Sequence, residues 1–156
     1  MSAWDVPPRA KVFEALGALA DGRVRLLDGR TAEVLSSSRD RTYRVTWSED
    51  GRAIGSNDNA SIWRGYAGYP ILAVLMARGL LDYDPRVASL LAGVPWKQLN
   101  GRFRNRYDDA VASVLRGLEA DGVDTAPIGR EVDRILSRFA ELDLQRLGGR
   151  RIRPAD

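Results

Sequence analysis

The stretch RVRLLDGRTAEVLSSSRDRTYRVTW, residues 23–47, decides the fold. Its last run alternates, with Tyr43, Val45 and Trp47 on one face and Thr42, Arg44 and Thr46 on the other. That period of two is the mark of a half-buried strand. Two earlier runs, Arg23 to Leu27 and Thr31 to Leu35, flank Asp28-Gly29, a two-residue hairpin signal. Ser36-Ser37-Ser38-Arg39-Asp40 makes a polar turn, Glu49-Asp50-Gly51 makes another, and Ala53-Ile54 starts a fourth short strand. The expected product is an antiparallel meander of three or four strands.

Helices are expected on both sides of it. The first eight residues read as a tail, after which Pro7-Pro8 starts a helix. Val12, Phe13, Leu16 and Leu19 give it helical spacing, and Asp21-Gly22 ends it. Beyond the strands, Ile62 to Arg78 reads as a helix bent or split by Gly65, Gly68 and Pro70. Ile71 to Ala77 is apolar all round, so it is expected to be the most buried segment. Asp84-Pro85 caps a short helix through Leu91. Trp96 to Asp121 reads as one long helix with an apolar stripe from Leu99 to Leu118, and Asp124 to Leu147 as the last. The short turn between them predicts an antiparallel helical hairpin. Segregated strands and helices mean an α+β fold, a small meander packed on a buried helix. One domain is expected over residues 1–156: a helix plus strand–helix core (9–81), a helical part (82–147) and a basic tail (148–156).

Composition removes whole classes of chemistry. The chain has no histidine and no cysteine, which excludes disulfides, thiolate and imidazole metal sites, and His- or Cys-based triads. No cofactor is implied. No apolar run reaches the ~18 residues that span a bilayer, so no membrane partner is expected. The N-terminus lacks the pattern of a secretory leader, which points to the cytoplasm. The net charge is +3, and two lysines, Lys11 and Lys97, stand against 22 arginines. Arginine grips phosphate bidentately and stacks on bases, although GC-rich codons or a thermophile's composition produce the same skew.

From Ala32 to Leu81 the chain resembles a SWIM domain. Val34, Ser36, Ser37, Ser38, Tyr43 and Val45 match the hairpin of that family, and Ile71 to Ala77 matches the helix that closes it. Between them the family carries Cys-x-Cys and Cys-x-His. Here Ser56 and Asp58 (or Asn57 and Asn59) fill the first pair of slots, and Gly68 and Pro70 the second. The resemblance implies a metal-free ββα unit and, since SWIM domains bind DNA or other proteins, a binding role. Losing the metal puts DNA binding in doubt, because the zinc of that family positions the loop.

Four groups of residues are candidate sites. Lys97, Arg102, Arg104 and Arg106 fall close together with no acid among them, bracketed by Trp96 and Tyr107. Such a set can grip phosphates and stack bases, or can be a solvated face paired with Asp108-Asp109. Arg146, Arg150, Arg151 and Arg153 form a basic arm suited to polyanions. Ser56-Asn57-Asp58-Asn59 with Arg64 and Tyr66 is either an anion site or plain helix capping. Asp82, Asp84, Asp108 and Asp109 could hold magnesium if they converged, though Asp84 has a simpler role as a cap.

The expectation is therefore a non-enzymatic, nucleic-acid-associated binding module, with DNA or RNA held by Lys97, Arg102, Arg104, Arg106, Arg150, Arg151 and Arg153. A protein–protein adaptor presenting Trp63, Arg64, Tyr66 and Tyr69 is the alternative, and a carboxylate- and metal-dependent enzyme a further one. Oligomeric state is not legible.

Overall fold

Ala53 and Ile54 are buried in a five-stranded mixed sheet, on a strand flanked on both sides by others, and the order of strands explains why. The computed structural model describes residues 3–147. Strands β1 (Val24–Leu26), β2 (Thr31–Leu35), β3 (Thr42–Trp47) and β4 (Ala53–Ser56) form an antiparallel meander in sequence order. The expected alternation is present: Ala32 and Val34 on β2 and Val45 on β3 are fully buried, and Thr42 and Arg44 face out. The β1–β2 turn is one residue longer than Asp28-Gly29 suggested. Leu27 donates its N–H to Thr31 O at 3.0 Å, so Asp28, Gly29 and Arg30 make the loop.

A fifth strand, β5 (Gln145–Arg146), runs parallel to β4, pairing Ala53 with Gln145. This corrects the reading of 124–147 as one helix. The last helix ends at Leu142, and Asp143 takes a left-handed conformation (φ 47°) that turns the chain back to the sheet. Among the residues read as an N-terminal tail, Trp4 and Asp5 are held in place. Trp4 receives no slack: its backbone N–H reaches Leu144 O at 2.9 Å and its indole donates to Ile54 O at 2.8 Å.

Helices stack on the sheet in depth. α2 (Tyr69–Ala77) lies against β1 to β4, and its residues Pro70 to Met76 are all buried, as expected for a helix apolar on every side. α1 (Arg9–Ala20) packs on α2 and is covered in turn by α3 (Pro85–Leu90), α5 (Tyr107–Ala120) and α6 (Ala126–Leu142). Every residue from Ala10 to Ala18 is therefore buried, including Lys11 and Glu14. α5 and α6 follow one another across the turn 121–125, but each uses α1 as its main support rather than forming a close pair. The cap on α3 is as expected, with Asp84 accepting from Arg86 N at 2.9 Å.

The segment read as one helix from Trp96 is two: α4 (Trp96–Arg102) and α5. Arg104 and Asn105 between them both have positive φ (53° and 63°). The first half of the segment 62–78 is likewise separate, a short π-helix (Ala60–Arg64) closed by Gly65 at φ 79°. Gly65 is needed for that φ, and Arg146 Nη2 lies 2.7 Å from where a Cβ would stand.

Candidate functional site

One cleft of about 730 Å³ opens where the β2–β3 turn, the π-helix and α4 meet above α1. Its volume falls in the range of pockets that hold small ligands. Lys11 and Glu14 of α1 form its floor. Their charges lie 3.3 Å apart, and both side chains are less than a tenth exposed. Asn100 on α4 donates from Nδ2 to Glu14 Oε1 at 3.0 Å, and the Lys11 ammonium sits 4.0 Å from the centre of the Tyr107 ring. Burial opposes charge on Lys11. Glu14, Tyr107 and Tyr66 outweigh that, so its proton is held more tightly than on a free lysine.

The sheet side supplies Arg23, Arg41, Tyr43 and Tyr69. Arg23 is buried, held by Asp21 at 3.2 Å and by Leu35 O at 2.6 Å. Tyr43 and Tyr69 meet edge to face, 6.1 Å apart, and burial raises both phenol pKa values.

The wall opposite is the loop that follows β4. Asp58 is buried and accepts from Ser61 Oγ (2.7 Å) and Ser61 N (3.1 Å), while Ser61 Oγ accepts from Gly68 N at 3.0 Å. The loop is thus plain capping of the π-helix, and its carboxylate is already engaged. It packs so closely on Gly68 that a Cβ there would come within 2.0 Å of Asp58 Oδ2. The π-helix aims Trp63 and Arg64 at the mouth, and Trp63 is 70% exposed. Such helices recur at functional sites.

α4 forms the last wall, with Trp96, Lys97 and Gly101. It is tied to the β2–β3 turn by Lys97 N donating to Ser37 Oγ at 2.9 Å and by Lys97 Nζ meeting Asp40 at 2.7 Å. That ammonium, with Ser38 and Ser36, holds the Asp40 carboxyl far below its usual range.

The sequence-derived candidates divide sharply. Lys97, Trp63, Arg64, Tyr66 and Tyr69 all line the cleft, so two sets assigned to different roles share one site. Arg102, Arg104 and Arg106 do not line it, and they share no helix face, because α4 ends at Arg102 and α5 starts at Tyr107. Arg106 pairs with Asp109 at 3.3 Å. Arg146 belongs to β5, not to an arm: its guanidinium lies over Trp4 and donates to Gly65 O at 2.8 Å. Arg150, Arg151 and Arg153 lie outside the described residues. Trp63, Tyr66 and Tyr69 do not make a surface patch, since the two tyrosines are half-buried. The acids Asp82, Asp84, Asp108 and Asp109 do not converge, and no group of three or more acidic side chains among the described residues is placed to hold a metal.

Sequence reading missed Lys11, Glu14, Arg23 and Asn100. One signal was present for the first two: they are the only charges in the run AKVFEALGA, residues 10–18.

Fold and cleft together define an α+β protein with a polar, aromatic-lined pocket of ligand size. A family model described as "Uncharacterised conserved protein UCP014422" matches residues 4–145, and the chain belongs to that family. No curated protein and no solved structure matches it. No helix among the described residues is long and apolar enough to cross a membrane.

Proposed function

We propose that the protein is a nucleic-acid-associated binding module that takes a nucleotide of its ligand into this cleft. One observation carries the reading: Lys11, Arg23, Arg41, Arg64 and Lys97 share a single cleft with Tyr43, Trp63, Tyr66, Tyr69, Trp96 and Tyr107, against Glu14 and Asp58 as the lining acids among the described residues. Cations that meet phosphate beside aromatic rings that stack bases are the usual equipment of single-strand binding. Several of the cations are already paired, but the Lys97–Asp40 bridge is exposed on both sides. Solvent-exposed bridges of that kind contribute little, so a phosphate displaces Asp40 at little cost. Arg102 and Arg104 sit beside the lining residues Gly101 and Asn105, where they would follow the backbone outside. The SWIM-like unit of residues 32–81 then serves as a metal-free scaffold. The contact between Asp58 and Gly68, two of the vacated ligand slots, supports that part of the reading.

Fluorescence anisotropy with labelled single-stranded and duplex DNA tests the proposal. Binding should weaken steeply with salt and prefer single strands. Replacing Arg64 and Lys97 by Ala should weaken it about tenfold or more and flatten the single-strand salt slope by about 1.4. No binding even at low salt would end the proposal.

A further inference from the structure

We propose that the floor of the cleft is a socket for a phosphomonoester, the phosphorylated end of a strand or a free mononucleotide, with Lys11 as its specificity-determining residue. The inference rests on the nucleic-acid reading above and names the group that reaches deepest. α1 is buried along its whole central part, so nothing in its packing requires two charges there. Apolar side chains of similar volume would stabilise such a position as well or better. The pair also does not cancel itself fully. An ammonium carries three N–H donors. Glu14 Oε2 at 3.3 Å and the Tyr107 ring face at 4.0 Å account for two directions, with Tyr66 acting on the ammonium only electrostatically among the described residues. The residue lines the cleft while only 7% exposed. That leaves a donor for an anionic oxygen arriving from the mouth. The Asn100 hydrogen bond holds Glu14 in place beside it, which makes Glu14 and Asn100 positioning residues.

The geometry favours a monoester over an internal diester for two reasons. An internal phosphate reaching the floor must carry chain out on both sides through the same mouth, whereas a terminal one brings a single strand. A monoester also carries about −1.5 to −2 charge near neutral pH, and the cleft is lined by more cations than acids, although Arg23 is already held by Asp21. Lys11 stays protonated throughout that range, because its proton affinity is raised.

The test is anisotropy of one labelled single-stranded oligonucleotide in three forms (5′-phosphate, 3′-phosphate and no terminal phosphate) at about 0.15 M salt. Unlabelled mononucleotide and inorganic phosphate serve as competitors. One phosphorylated form should bind about tenfold tighter than the unphosphorylated one, and that ratio should fall to about one in the Lys11→Met/Glu14→Leu protein, which removes both charges together. Equal affinity for all three forms would overturn the socket and leave the nucleic-acid reading standing. A ratio that survives in the double variant would overturn the role of Lys11. Binding of mononucleotide or phosphate without any oligonucleotide would support the socket and contradict the nucleic-acid reading. Silence from every ligand would overturn both. The comparison of ligands on the unaltered protein decides the matter even if the variant fails to fold.

Discussion

Gly68 shows how one residue ties the site to the fold. Its φ is ordinary (−73°), so backbone freedom is not why it is glycine. Space is the reason: the buried Asp58 carboxylate occupies the place of a Cβ. Gly68→Ala should force Asp58 off Ser61 and destabilise the protein by about 2 kcal/mol or more, the worth of hydrogen bonds to a buried charge. Urea denaturation measures it, and a double-mutant cycle isolates the cause. In an Asp58→Ala background the same change should be nearly neutral. A full-sized loss there would mean that the clash lies elsewhere.

At the scale of elements, what was legible follows from how local each signal is. The alternation of β3 and the Asp84-Pro85 cap are decided by neighbours in sequence, and both were readable. β5 is two residues held by β4 from far along the chain, and no local pattern marks it. The α4–α5 break hides for a different reason. Leu99, Phe103, Tyr107 and Ala110 keep helical spacing straight across it, and residues 103–106 at the break itself hold neither glycine nor proline. Arg104 and Asn105 are left-handed there, and local bonds close the turn: Asn105 donates its N–H to Asn100 O at 2.7 Å and Arg104 its N–H to Gly101 O at 3.1 Å. The error mattered for the site, because a single helix would have lined up Lys97 and Arg104, whereas the break leaves Lys97 in the cleft and Arg104 outside it. The burial of Lys11 and Glu14 left only the signal of two charges in an apolar run, since it depends on helices arriving on all sides of α1. Arg104→Gly tests the break by sign. In a left-handed position glycine relieves strain and should leave stability unchanged or raise it by about 0.5 kcal/mol. A loss of about 1 kcal/mol in thermal or urea unfolding would be the mark of a continuous helix.

For the whole molecule, the polar floor sets a pH limit. Lys11, Tyr43 and Tyr69 all have raised pKa values, so each holds its proton more tightly folded than unfolded. Their contribution is present in full below the unfolded values, near about pH 10, and is lost as pH rises toward the folded ones. The urea midpoint should therefore fall between about pH 8 and about pH 11, and Tyr69→Phe should make that fall shallower. An identical fall in the variant would remove Tyr69 from the explanation.

The central claim, that nucleic acid enters the cleft rather than the Arg102–Arg106 face, is tested most directly by nitrogen–proton NMR spectra of the labelled protein during titration with a short single-stranded oligonucleotide. The tryptophans provide both probes and controls. Trp63 and Trp96 line the cleft, whereas the Trp4 indole is bound to Ile54 O and Trp47 lies under Arg78. The Trp63 and Trp96 indole signals should shift with the amides of residues 57–66 and 96–101, while those of Trp4 and Trp47 stay in place. Shifts confined to residues 102–106, or to the outer face of α6, with the Trp63 and Trp96 indoles unmoved, would contradict it.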